Sequence, residues 1–250
     1  MKKTGVLLHV YHLGTLGWEE LVWGDPAEDR LGTLTKFADC LLGIPAADEV
    51  DAIIYSGPSE KDGLSEGAYA RQFLVDHIDG LSDFPRLKRK LDALSWAERA
   101  VFTERINGLV AGPQLTTAGT TEAEIRAAAK RFAKAGVSRV LEIACVSHAP
   151  RCARSQALVR SEGLIPQEQA WFLVISETCW NHGEPLDVTI LEPPHRADDP
   201  VYGLHPSLPQ SLRTYQYELD HEHRREVVLK VAQLIANELA DQAVGSSESK

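Results

Sequence analysis

The chain is poor in the residues that most often announce a function. Four cysteines occur in 250 residues, at Cys40, Cys145, Cys152 and Cys179, with no CxxC pair among them. A disulfide framework or a structural zinc knot is therefore not expected, since both use cysteines at short, repeated spacings. Cys145 and Cys152 flank His148, which could suggest a metal. A small buried residue on a strand and another on a helix account for them more simply, and no metal ligand is assigned. No apolar run approaches the roughly 20 residues that a membrane-spanning helix requires. Basic residues are outnumbered, 26 Lys and Arg against 36 Asp and Glu, for a formal net charge of −10. That balance argues against nucleic acid and anionic membrane as partners, both of which need a broad basic surface. The GxSxG elbow, the GxxxxGKS or GxxxxGKT phosphate loop and the HExxH pair are missing too, and there is no internal repeat. Met1-Lys2-Lys3 before Gly5-Val6-Leu7-Leu8 imitates the start of a secretion signal, but His9 and His12 interrupt a run that is already short. A first strand and a cytoplasmic protein are expected instead.

What is present centres on Thr116 to Gly163, which reads as helix, strand, helix. Thr121 with Glu124 three residues later predicts a capping box at the start of the first helix. Ile125, Ala128, Ala129, Phe132 and Ala133 follow at helical spacing, and Gly136 stops the helix. Val140 to Val146 is almost all apolar and reads as a parallel strand covered on both faces. Ser147-His148-Ala149-Pro150-Arg151 is the turn into the next helix, with Pro150 in its first turn, where proline is tolerated. In open parallel sheets ligands bind beyond the carboxyl ends of the strands, where helix N-termini present free N–H groups to an anion. Ser147, His148 and Arg151 fall there.

Elsewhere, Val6–Tyr11 predicts a first strand leading to Gly14, with Trp18–Pro26 as a covering loop and a helix over Asp29–Leu42 facing inward through Leu31, Leu34, Phe37, Ala38 and Leu41. Val50–Tyr55 predicts a second strand ending in Ser56-Gly57, after which Ser65 caps a helix with Glu66 in its first turn. Residues 78–108 read as a helical insertion carrying the basic run Phe84 to Lys90, which suits a solvated face, a wall of an anion pocket or a contact with a second copy. Leu109–Gly112 is a short third strand. Strands at Ala170–Ser176 and Leu186–Leu191, a Pro-rich loop at 193–209 and a helix at about 219–242 complete a single domain of residues 1–243, with 244–250 as a disordered tail. The insertion and the Pro-rich loop are expected over or beside the carboxyl edge of the sheet, since loops of such length are often lids or interfaces.

Two stretches resemble the motifs of the YdcF-like family, a domain of unknown function that includes SanA-like and ElyC-like proteins. The family carries Ser-x-x-Thr-x-Glu-Asn at the opening of one helix and Ser-x-x-His-Met-x-Arg-Ala after the following strand. Thr117-Ala118-Gly119-Thr120-Thr121-Glu122-Ala123 is similar to the first, and Cys145-Val146-Ser147-His148-Ala149-Pro150-Arg151-Cys152 to the second. Leu13-Gly14, Ser56-Gly57 and Ser65-Glu66 follow the same order, so the likeness spans roughly residues 5–192. Ala123, Thr117, Cys145, Ala149 and Pro58 depart from the pattern. The resemblance implies that Arg30 and Glu66 belong to the site, and that S-adenosylmethionine, which some relatives are reported to bind, is one cofactor to consider.

Together these readings predict a three-layer α/β/α Rossmann-like protein with a mainly parallel sheet of five or six strands. The expected ligand is small and anionic or nucleotide-like: S-adenosylmethionine, a nucleotide or a phosphorylated metabolite. His148, Glu66 and Glu122 are the catalytic candidates, a histidine being able to move protons near neutral pH. Gly14, Arg30, Ser56, Gly57, Ser65, Thr117, Thr120, Ser147 and Arg151 are the binding candidates. The reaction would be transfer or hydrolysis. A non-catalytic binding protein, or a metal-assisted hydrolase using His9 or His12 with His148 and a carboxylate, are the alternatives.

Overall fold

A strand with apolar residues at successive positions has no face to give to water. Val6, Leu7 and Leu8 are all fully buried, because they lie in β1, Lys3–His9, at the middle of a five-stranded sheet. The computed structural model describes residues 2–15, 17–55, 57, 59–111, 120–146 and 148–178, all within the unit Met1–His182. The strand expected at 186–191, the Pro-rich loop, the terminal helix and the tail lie outside the described residues.

The other strands of the sheet are β2, Glu49–Tyr55, β3, Val110–Ala111, β4, Arg139–Ala144, and β5, Ala170–Ile175. Their order is β3-β2-β1-β4-β5, and every adjacent pair is parallel. The chain steps outward from β1 to β3, then restarts on the other side of β1. This is the Rossmann-like α/β arrangement, with its reversal of strand order between β1 and β4.

Alternate residues of each strand point to opposite faces, and two apolar clusters result. Val6, Leu8, Ala52, Ile54 and Ile143 pack with α1, Trp18–Trp23, and α2, Thr33–Leu42. Leu7, Ile53, Tyr55 and Val140 pack with α6, Thr121–Lys134, and α7, Ala149–Ser161. The predicted inward positions Leu34, Phe37, Ala38 and Leu41 are all buried on α2. Full burial of each large one is worth about 1.5–3 kcal/mol. At Gly5 the Phe132 ring of α6 packs directly on the strand: a Cβ there would stand 3.0 Å from it.

Several boundaries differ from the sequence reading. β1 ends at His9 rather than Tyr11. Trp18–Trp23 is a helix, turned so that Trp18, Leu21 and Val22 are buried. α2 begins at Thr33, not Asp29, because Arg30–Leu31 pairs antiparallel with Gly24–Asp25 through a turn in which Asp29 takes a φ of 50°.

Between β2 and β3 run α3, Glu66–Asp76, a 3-10 turn at Ile78–Asp83, α4, Pro85–Asp92, and α5, Trp96–Asn107, the last opened by a reciprocal capping box of Ser95 and Glu98. The basic run meets carboxylates of the chain itself. Arg86 donates to Glu177 Oε1 at 2.6 Å and also pairs with Asp29, while Lys88 pairs with Asp92 at 3.0 Å and Lys90 with Asp39. Arg86 therefore meets the chain just past the carboxyl end of β5. At the far end of the insertion, Arg105 donates to the carbonyls of Ile44, Pro45 and Asp48 at 2.7–2.8 Å, in the loop entering β2 at the opposite edge. The start of α4 thus lies where a lid was expected, and the end of α5 does not.

Candidate functional site

The carboxyl ends of β1 and β4, where the strand order reverses, are the place at which this fold opens a crevice. His9 closes β1 there, and α7 starts four residues after Cys145 on the far side of β4. The N-terminus of α6 faces the same point, and its first turn departs from the sequence reading. The N-cap is Thr120, whose side chain accepts the Ala123 N–H at 3.3 Å. Thr121 and Glu124 do not form the predicted box. Residues three apart share one side of a helix, and this pair turns into the protein. Thr121 Oγ1 lies 2.8 Å from His148 Nε2, and Glu124 Oε2 lies 2.8 Å from His9 Nδ1.

The second ring nitrogen of His9 is 3.1 Å from Glu142 Oε1. Glu142 is fully buried in the middle of β4 and also accepts from Gln156 Nε2 of α7 at 3.0 Å. The His9 and His148 rings meet edge to face with centroids 5.2 Å apart, and Tyr11 meets His148 in the same way at 5.7 Å. A ring nitrogen of His9, a ring nitrogen of His148 and the Cys152 sulfur all lie within 4.8 Å of one another, and all three residues are buried. Burial pushes the His9 imidazole toward its neutral form. The electrostatic attraction and hydrogen bond of Cys152 oppose this, together with hydrogen bonds to Glu124 and Glu142, and hold its pKa well above the usual histidine value. Tyr55, which the register sets beside His9, is pushed by burial up to about 12, against the pull of Arg131. It stays a neutral phenol at neutral pH.

Arg151 is buried in the first turn of α7, three residues after His148 and next to Cys152. His148 occupies the N-cap position of α7 without bonding to the helix through its side chain. The predicted pair His148 and Arg151 thus enters the same helix turn, and His148 joins His9, a candidate only in the metal-assisted alternative, and Thr121, Glu124, Glu142, Cys152 and Gln156, to which the sequence assigns no site role. A signal for one of them was present. An acid in the middle of a strand covered on both faces must have a partner, because an unpaired buried carboxylate is too costly to keep.

The other predicted residues are distributed differently. Glu66 is buried and accepts from the backbone N–H of Gly57 and from Ser59 Oγ at 2.8 Å. Ser59 Oγ in turn accepts the Leu13 N–H at 3.2 Å. Glu66 and Gly57 are therefore together, tying the loop after β2 to the loop after β1. Gly14 follows in that loop, exposed, with its N–H donated to His12 Nδ1 at 3.0 Å. His12 itself is exposed in this loop. Ser65 holds the N-cap position of α3 but makes no side-chain capping bond. Glu122 is not at the centre: two positions from Thr121's neighbour Glu124, it faces outward and pairs with Arg126, which also forks onto Glu162 at 2.9 Å. Arg30 is likewise outside, exposed on the short ladder and paired with Asp25 at 3.4 Å. Ser56, Thr117 and Ser147 lie outside the described residues.

No family model, curated protein or solved structure matches the chain. The fold and the cluster define the class: a Rossmann-like α/β protein with a buried, titratable centre at the reversal point of its sheet. No helix among the described residues is long and apolar enough to cross a membrane.

Proposed function

We propose that the chain is a YdcF-like protein that binds a small anionic or nucleotide-like ligand at the carboxyl edge of the sheet and acts on it by transfer or hydrolysis. The observation that supports this reading is the position of the buried polar cluster, at the ends of β1 and β4 where the strand order reverses. Folding alone gives no gain from collecting two histidines, two carboxylates and a thiol in an apolar interior, and strongly perturbed groups gather at functional sites. Arg151 supplies a fixed positive charge in the first turn of α7, where the helix dipole also favours an anion. His9 and His148 are the groups able to carry a proton or hold an ion beside it.

The test is native mass spectrometry of the freshly purified protein, followed by calorimetry with S-adenosylmethionine and ATP as probes. A charge-assisted hydrogen bond is worth roughly 1.5–3 kcal/mol, so Arg151→Ala should weaken binding about ten- to a hundredfold. Arg151→Lys should recover only part of the loss, because an ammonium cannot reproduce the planar fork. His148→Gln should lower turnover more than affinity; an effect on neither would make the protein a simple binder. Unaltered binding by Arg151→Ala would remove the site.

A further inference from the structure

We infer that His9, His148 and Cys152 form a site for one divalent transition-metal ion of the zinc type. The three donors come from two directions. His148 and Cys152 stand four residues apart, joined by the Cys152 N–H to His148 O hydrogen bond at 3.1 Å, so one turn of helix presents both. His9 meets them from the end of β1. Their ligand atoms lie within 4.8 Å of one another, whereas donors around a tetrahedral zinc stand roughly 3.3–3.7 Å apart. Side-chain movements of about 1 Å would close that gap.

The surroundings are those of a metal site. A ligating histidine is oriented by a hydrogen bond at its other ring nitrogen. Thr121 Oγ1 provides this contact at His148 Nε2, and a glutamate stands at each nitrogen of His9. Two carboxylates, the buried Glu142 and the half-buried Glu124, stand on one imidazole beside the Cys152 sulfur, a set of donor atoms suited to a cation. On binding, one carboxylate contact of His9 is exchanged for the metal bond, and the released glutamate becomes available as an oxygen donor. Imidazole and thiolate select a borderline ion such as Zn²⁺ over Mg²⁺ or Ca²⁺, which take oxygen ligands. Three protein ligands with a fourth position for water or carboxylate is the pattern of a reactive rather than a structural zinc.

The inference does not depend on an organic ligand, and its test uses none. The full chain without a histidine tag is stripped with a chelator and titrated with zinc chloride and, separately, with cobalt chloride. One zinc per chain by elemental mass spectrometry is expected, and the cobalt form should show a thiolate-to-metal charge-transfer band. Outer-shell changes typically cost 10–100-fold in metal affinity, so Thr121→Val should weaken binding about that much and Cys152→Ser by more than about a hundredfold. Cys152→Ser should also abolish the charge-transfer band, while Cys40→Ser should keep both stoichiometry and band. Circular dichroism shows whether each variant is folded. If Cys152→Ser fails to fold, the cobalt spectrum of the unmodified chain decides alone. Less than about a tenth of an equivalent of zinc, a cobalt spectrum without the band, or a folded Cys152→Ser that binds zinc as tightly as the unmodified chain would each overturn the inference.

Discussion

Glu66 offers the clearest measurement of how the carboxyl edge of the sheet is held. Its carboxylate accepts from the Gly57 N–H and from Ser59 Oγ, and Ser59 relays the contact to the Leu13 N–H. One buried side chain in the first turn of α3 therefore connects the loops that leave β1 and β2. Hydrogen bonds to a charged group contribute roughly 1.5–3 kcal/mol each, so two of them set an upper limit of about 3–6 kcal/mol for truncation to alanine. Gly57 and Ser59 are only half-buried, and water entering the vacated space recovers part of this, leaving an expected cost of about 2–4 kcal/mol. For a domain of this size that is roughly 5–15 °C in Tm. Glu66→Gln keeps the shape and an acceptor for Gly57, and should cost about 1–2 kcal/mol. Ser59→Ala should also destabilise, and the double change Glu66→Ala with Ser59→Ala should cost less than the sum, as contacts in one network do. Urea unfolding with constant m-values, with thermal melts alongside, gives these figures. A Glu66→Ala protein within about 0.5 kcal/mol of the unmodified chain, or an additive double change, would refute the account.

Two further outcomes follow from packing and charge. Gly5→Ala sets a Cβ 3.0 Å from a fully buried Phe132 that is itself braced edge-on by Trp171. It should lower stability by about 1–3 kcal/mol through overpacking; a higher denaturation midpoint than the unmodified chain would show that the ring yields. Glu177 has a different sensitivity: burial raises its pKa, but the Arg86 fork, the Leu31 N–H and nearby Lys36 bring it below the usual carboxylate value. A depressed folded-state pKa means that its stabilising effect is fully present above the unfolded value, roughly 4.3, and is lost as pH falls through the folded one. Glu177→Gln should therefore flatten the decline in stability below about pH 4.3. Parallel acid titrations of the two proteins would argue against the fork.

The periodicity of residues along the chain was enough to determine the layers. Mostly apolar residues at successive positions in Val6-Leu7-Leu8 and from Val140 onward require strands covered on both faces, though the second strand ends at Ala144, two residues before the predicted Val146. The stripes of Leu34, Phe37, Ala38 and Leu41 and of Ile125, Ala128, Ala129 and Phe132 require helices to cover them, and those residues are buried as their spacing dictates, whereas Ala133, which the spacing also placed in the second stripe, is exposed at the edge of the covered face. Gly136 and Gly163 end their helices at positive φ, 69° and 75°, which few other residues adopt without strain. These are local rules, acting over a few residues, and so they are legible in order along the chain. Tertiary structure alone decided which polar residues meet. Thr121 and Glu124 satisfy the spacing of a capping box and equally that of two side chains on one inward face; only the approach of β1 and α7 selects the second. His9 and Glu142 are 133 residues apart, and their contact at 3.1 Å exists because β4 returns to lie beside β1. Glu122 and Arg30 looked like site residues by motif position, but rotation about α6 carries the first outward and a two-residue ladder carries the second to the surface. A hydrophobic pattern records how much of a residue is covered; it carries no record of which distant group covers it, and the candidate site consists almost entirely of such pairings.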